Sequence, residues 1–315
     1  MSPALNSREF AALGGKVGIS VADPASDELL SGAQEIVGRV HSDLSRFDPD
    51  SELSRLNEDP RTEIEISPLM SRFLLDVIGA ARISGGLVDA TCLDSLERAG
   101  YRASMDFARE SDAIKLYPSS ELPRHPAAPH GEARWAEVEV DPDRGVVRRA
   151  PGIRFDSGGL GKGLAADLVA EFLDEAAYFS VDCGGDLRVG GLTAGDVTIS
   201  VANPLRGQDP LAELSVPAGH AVATSGITRS AWIGPEGEYS HHLIDPGTGL
   251  PAFTGIVQVS AVAPTAVEAE VRAKAALLVG PASAAEWLEY GGLIILEGGE
   301  LRRIASADSA ATTAG

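Results

Sequence analysis

Four glycines and a lysine crowd into nine residues, Phe155-Asp156-Ser157-Gly158-Gly159-Leu160-Gly161-Lys162-Gly163. A strand-like run, Ile153 to Asp156, leads into them, and a helix-like run from about Leu164 to Leu173 leads out. Glycine lets a backbone approach a phosphate closely, and the helix start behind it offers N–H groups and partial positive charge. Lys162 adds a full charge. The run is not a Walker A loop: the required glycine before Gly161-Lys162 is absent, and Gly163 stands where Ser or Thr should meet magnesium. Nor is it GxGxxG after a first strand. On its residues alone it fits an anion cradle or an ordinary strand-to-helix turn.

Around this joint, strand and helix periodicities interleave without strict βαβ regularity, which predicts a single mixed α+β domain. Lys16 to Ala22 alternates like a strand. From Ser26, the expected N-cap, Leu29, Ala33, Ile36, Val37, Val40 and Leu44 mark one helix face. Asp48 to Ser51 is a loop leading into Glu52 to Asn57. Ser67-Pro68 opens a helix that stops at Gly85-Gly86. Arg109 to Ala133, rich in Pro, Ser and His, is expected to be irregular. Hairpins are expected at Trp135 to Arg149, turning at Asp141 to Gly145, and at Tyr178 to Gly190, turning at Gly184-Gly185-Asp186. Short strands follow at Val197 to Val201 and Ala221 to Thr224. Ile256 to Ala263 is a strand feeding a helix from about Thr265 to Leu278. A helix over Ala282 to Tyr290 and a hairpin close the domain, which is set at residues 1–304. Residues 305–315 are expected to be a flexible tail.

Charge narrows the partners. Against 26 Lys plus Arg stand 46 Asp plus Glu, a formal charge of -20, so the mean field repels nucleic acid and anionic membranes. Cys92 and Cys183 are too few and too far apart for a disulfide framework. Met1 to Phe10 has no charged region followed by an apolar run, and no stretch approaches a membrane span, so the expected address is cytoplasmic.

A second candidate is Thr224-Ser225-Gly226 with the later run His241-His242-Leu243-Ile244-Asp245-Pro246-Gly247-Thr248-Gly249. Histidine titrates near neutrality and can accept a proton from an attacking hydroxyl. Neighbouring histidines on an extended segment point to opposite sides, so only one can face a site. The same residues also fit a surface histidine before an Asp-Pro-Gly turn. A triad of Ser225, His242 and Asp245 is conceivable, but the GxSxG elbow is missing.

Taken in order, the motifs carry more than any one alone. Ser45-Arg46-Phe47 with Ser51-Glu52-Leu53-Ser54-Arg55-Leu56-Asn57 resembles the early motif of the ApbE family, the FAD:protein FMN transferases. Val88-Asp89-Ala90-Thr91 resembles its Phe-Asp-Pro-Thr, and Asp156 to Gly163 its glycine-lysine-glycine loop, with Asp167 at the family's helix aspartate. Cys183 to Asp186 with Ala202-Asn203-Pro204, then Thr224-Ser225-Gly226, then His242 to Gly249 match the later motifs. The likeness runs from about Leu13 to Leu296.

The resemblance implies a T-fold-like ApbE domain that attaches FMN from FAD to a Ser or Thr of an acceptor flavoprotein and releases AMP. The alternative within the family is a member that binds or hydrolyses FAD without modifying a protein. It implies FAD contacts at Leu13, Phe47, Leu87, Val88, Asp89, Asp156, Lys162, Thr224 and Leu243, and His242 as general base. It also implies a divalent metal, usually Mg2+, on the pyrophosphate, with Gly159 offering a carbonyl. There the sequence departs from the family pattern: Glu270 stands for the expected aspartate and Lys274 for the expected threonine. Glutamate still offers an oxygen, whereas a protonated lysine cannot ligate a metal. Three readings stay open at that point: a weakened metal site, a surface i,i+4 pair, or an ammonium replacing the metal.

Overall fold

The computed structural model describes residues 4–104, 123–205 and 210–307. Strands β1 (Leu5–Ala12) and β2 (Gly15–Ala22) form a hairpin closed by Leu13-Gly14. Both turn residues have positive φ, 54° and 72°, the turn hand that matches the twist of the paired strands. β1 carries little sequence signal because it is an edge strand facing mostly solvent. With no buried face, there is no apolar alternation to read.

Helix α1 (Ser26–Asp43) buries Leu30, Ala33, Val37 and Val40. Ser26 is not the expected cap. Ala25 holds that position, and the Ser26 hydroxyl instead accepts a hydrogen bond from Asn6 Nδ2. α2 (Glu52–Glu58), strand β3 (Glu63–Glu65) and α3 (Pro68–Ile83) come next. Ser51 and Ser67 do cap their helices, accepting from the amides of Ser54 and Met70 at 2.9 and 3.1 Å. Gly85 and Gly86, with φ 61° and 89°, turn the chain after α3. α4 (Leu93–Arg98), β4 (Glu139–Asp141) and β5 (Val146–Arg148) follow, and β3-β5-β4 form a small sheet. The expected hairpin is thus shorter than the sequence reading, with Trp135 in a 3-10 turn, Arg134–Glu137.

Residues 153–156 join no sheet, contrary to expectation. Phe155 N–H donates to Asn57 Oδ1 and Asn57 Nδ2 donates to the Phe155 carbonyl, both at 2.8 Å. The Asp156 amide donates to Ala90 O at 2.9 Å. One asparagine side chain thus satisfies the strap where a ladder was expected. α5 (Gly161–Phe172) begins ahead of the expected Leu164, so Gly161 and Gly163 belong to its first turn.

The remaining strands are β6 (Tyr178–Cys183), β7 (Leu187–Gly190), β8 (Val197–Ala202), β9 (Pro210–Val216), β10 (Ala221–Gly226), β11 (Ala231–Ile233), β12 (Tyr239–His241), β13 (Ile244–Asp245), β14 (Leu250–Pro251) and β15 (Ile256–Ala263). α6 (Ala266–Val279), β16 (Gly292–Leu296) and β17 (Leu301–Ile304) complete the order. The expected helix over Ala282 to Tyr290 is only a 3-10 turn, Ala284–Trp287. Gly280 and Gly291, at φ 79° and 95°, bend the chain on either side of it.

Eight strands pair antiparallel in the order β1-β2-β6-β7-β10-β15-β16-β17. Alternate residues of β10 divide its faces. Ala221 and Ala223 pack in the core formed with α1, α5 and α6, while Val222 joins Val201, Leu214 and Val216 of the β8-β9 hairpin. β15, covered on both sides, is buried at every position. The architecture is α+β. Of the expected loop, residues 123–133 carry no regular element before Arg134, while residues 109–122 and the tail from 308 lie outside the described residues.

Candidate active site

A cleft of about 730 Å³ lies where the start of α5 meets the β6-β7 turn, the segment 87–90, the segment 224–230 and one face of α6. The residues that the resemblance assigns to FAD contact, proton transfer and the metal position all line it: Leu13, Phe47, Leu87, Val88, Asp89, Asp156, Gly159, Lys162, Thr224, His242, Leu243, Glu270 and Lys274.

At its floor α6 is locked in place. Thr265 Oγ1 accepts from the Glu268 amide at 3.1 Å, and the Asp167 carboxylate accepts from the amides of Ala266 and Val267 at 2.8 and 3.0 Å. This seats the first turn of α6 against Gly163. A Cβ there would lie 2.6 Å from Glu270 Oε2 and 2.9 Å from backbone atoms of Ala266 and Val267, so only glycine fits without displacement. Glu270 Oε2 accepts from the Gly163 amide at 3.1 Å, and Oε1 accepts from Lys274 Nζ at 3.3 Å. Lys162 Nζ lies 2.8 Å from Asp186 Oδ2. Burial pushes the Glu270 carboxyl up; Lys274 opposes the rise, and Asp186 adds to it. Burial alone would lower the Lys162 ammonium, but Asp186 and then Glu270 outweigh it and hold it above its ordinary value.

The other wall is aromatic and cationic. The Arg46 guanidinium lies 4.1 and 4.3 Å from the ring centroids of Phe47 and Tyr101, and Tyr101 stacks on Trp232 at 5.1 Å. Arg46 Nε meets Asp156 Oδ1 at 2.7 Å, and the Gly158 amide donates to Asp156 Oδ2 at 3.0 Å. Burial raises Asp156 against that pairing. Asp89 accepts from the Thr91 amide and hydroxyl at 2.8 and 2.7 Å, which fixes the segment that carries Leu87 and Val88. Thr224 Oγ1 pairs with Ser260 Oγ at 2.8 Å. Leu13 sits at the strained hairpin corner, its amide donating to His41 Nδ1 at 3.3 Å.

The two histidines part as expected. His241 is fully buried and meets Phe253 edge-on at 5.0 Å. His242 faces the cleft, and its Nδ1 lies 3.3 Å from the Ser230 carbonyl. A carbonyl only accepts, so Nδ1 carries the proton and Nε2 is left as a base. Burial, then Lys274, pushes His242 down to about 4, so it is neutral at physiological pH. The conceivable triad does not form through Asp245. That carboxylate accepts from the Ala128 and Gly247 amides and from Thr248 Oγ1, at 2.9, 3.0 and 3.1 Å.

The donors at the expected metal position do not fit a divalent ion. Glu270 and Lys274 are 1% and 8% exposed, which rules out the surface-pair reading. Both Glu270 oxygens already have partners. Among the described residues, no group of three or more His, Cys, Asp or Glu could hold a metal. A divalent ion about 4 Å from the ammonium would meet a repulsion on the order of 8 kcal/mol at an effective dielectric of about 20.

Sequence reasoning passed over three residues that the cleft uses. Arg46 and Asp186 stand inside quoted motifs, but their ion pairs join segments far apart in the chain. Tyr101 belongs to no motif, and no local pattern signals it.

The ApbE family model matches residues 13–295, and the chain belongs to the ApbE family. It is 24% identical over 257 residues to an FAD:protein FMN transferase of Escherichia coli strain K12, spanning 80% of this chain and 71% of that protein. To the Vibrio cholerae FAD:protein FMN transferase it is 26% identical, over 81% and 74%. A Treponema pallidum protein of the same description is 34% identical over 158 residues, 46% of this chain and only 43% of that protein. The fold matches a crystal structure of an ApbE protein from Thermotoga maritima, with TM-score 0.76, 24% identity and 98% and 99% of the two chains covered. It also matches the Pseudomonas stutzeri flavinyl transferase ApbE in its apo form, with TM-score 0.73, 18% identity and 98% and 96% covered.

Proposed function

We propose that the chain transfers the FMN half of FAD onto a Ser or Thr hydroxyl of an acceptor flavoprotein. One observation carries the reading: a neutral histidine base faces the same cleft as Lys162 and the N-terminus of α5. A diphosphate held at that helix start meets the positive end of the α5 dipole and the Lys162 charge. The acceptor oxygen bonds to the phosphorus on the riboflavin side while the bridging P–O bond breaks and AMP leaves. The hydroxyl proton passes to His242 Nε2. Phe47, Leu13, Leu243 and the 87–89 segment supply apolar walls for the ring systems. Family membership and the flavin transferases among its relatives support the same class.

Water taking the place of the hydroxyl would give FAD hydrolysis instead. Calorimetric titration with FAD, FMN and NAD tests the shared premise. FAD binds most tightly, because FMN has no diphosphate to meet the α5 start. Equal affinity for FMN, or no heat with FAD, overturns it.

A further inference from the structure

The cleft's two lysines are held differently. Lys162 is pinned by Asp186 on the β6-β7 turn. Lys274 reaches in from α6, nearly buried, its ammonium fixed by Glu270, whose other oxygen is anchored by the Gly163 amide. Lys274 Cε lies 3.7 Å from where a Gly159 Cβ would stand. The ammonium therefore sits at the joint of the glycine loop and α6, close enough to Asp156 and His242 to influence both electrostatically. A Mg2+ ion on a diphosphate would still need a free carboxylate oxygen from the protein, and both Glu270 oxygens are already engaged, one of them by the Lys274 ammonium. An ammonium needs one well-held carboxylate, and Glu270 is that.

We infer that Lys274 is the built-in counter-ion of this cleft, so that the chain binds the diphosphate bridge of a dinucleotide through Lys274 and Lys162 without a divalent metal. Glu270 is the positioning residue that keeps the ammonium in place. The inference rests on reading the cleft as the FAD site, and the experiment separates the two.

The chain is titrated by calorimetry with FAD, and separately with inorganic diphosphate, in EDTA and again with Mg2+. Mn2+ binding is followed by electron paramagnetic resonance. FAD affinity is expected to agree within about twofold in the two buffers, with no Mn2+ bound. Removing Lys274 alone would leave Glu270 buried and unpaired, so the test variant is the double change Glu270→Gln with Lys274→Met, which keeps shape without buried charge. Its affinity for FAD and diphosphate in EDTA falls about tenfold or more, while Glu270→Gln alone, which keeps the ammonium, loses less.

Binding that requires Mg2+, stoichiometric Mn2+ uptake, or a folded double variant that binds like the parent in EDTA overturns the inference. If the double variant does not fold, the EDTA and Mn2+ arms on the unaltered chain decide. Metal-free diphosphate binding without FAD binding sinks the FAD reading and leaves Lys274 its role. FAD binding only with Mg2+ does the reverse. No binding of either ligand in either buffer overturns both.

Discussion

Gly163→Ala is the substitution whose sign the structure decides most sharply. In an open helix the change would be favourable by about 1 kcal/mol, the difference in helix propensity. Gly163 is not open: a Cβ there meets Glu270 Oε2 at 2.6 Å and the Ala266 and Val267 backbone at 2.9 Å. Those backbone atoms cannot retreat cheaply, since Asp167 holds both amides and Thr265 caps the same turn. Overpacking a tight site costs about 1–3 kcal/mol. Pushing Glu270 away also forfeits its bond to the Gly163 amide, worth roughly 1.5–3 kcal/mol for a charged acceptor. The net expectation is a loss of about 2–5 kcal/mol. Urea unfolding followed by circular dichroism measures it, as a lower midpoint at unchanged slope. Gly38→Ala is the control: it lies exposed in α1 with nothing within 4 Å of its Cβ, and should gain about 0.5–1 kcal/mol. A Gly163→Ala protein as stable as its parent, beside a stabilised Gly38→Ala, would refute the packing argument.

His242→Ala should slow FMN transfer by roughly 100- to 10,000-fold with FAD affinity nearly intact. His241→Ala should lower thermal stability, because it empties a buried site against Phe253, yet leave turnover per folded molecule near the parent's; equal rate losses from both changes would contradict the assignment. The pH dependence follows from the depressed His242: its basic form is present above about 4 and is lost as pH falls through that value. kcat/KM should stay level from roughly pH 5.5 to 8 if His242 is the base, and an acid limb centred near pH 6.5 would refute the reading. Lys162→Ala should weaken FAD binding by about 1–3 kcal/mol by calorimetry, and it also strips Asp186 of its ammonium partner; unchanged affinity would remove Lys162 from the phosphate site.

What could be read in advance follows the range of the interactions involved. The caps at Ser51, Ser67 and Thr265 act on amides three residues away, so local sequence announces them. The Asp-Pro-Gly turn after His242 and the splitting of the two histidines are local as well. The strap at 153–156 looks like a strand in the sequence because its partner, the Asn57 amide, lies 98 residues back. β1 leaves no local signal because an edge strand with solvent on most sides needs no apolar alternation. In the site, aligned motifs singled out residues that do share one cleft, since the motifs mark where the elements converge. The burial of Glu270 and Lys274 was not legible, because i,i+4 spacing looks the same on a solvated helix. Nor could the sequence show Arg46 neutralising Asp156, a pairing made only when α1's end meets the glycine loop.

The central claim is group transfer to a protein. The chain is incubated with FAD and a flavin-acceptor domain, and the acceptor is followed by intact-mass and peptide mass spectrometry. The expected result is addition of FMN, less one water, on a single Ser or Thr, with one AMP released per acceptor modified, and both slowed roughly 100- to 10,000-fold in His242→Ala. AMP and free FMN accumulating beside an unmodified acceptor would contradict transfer and leave hydrolysis.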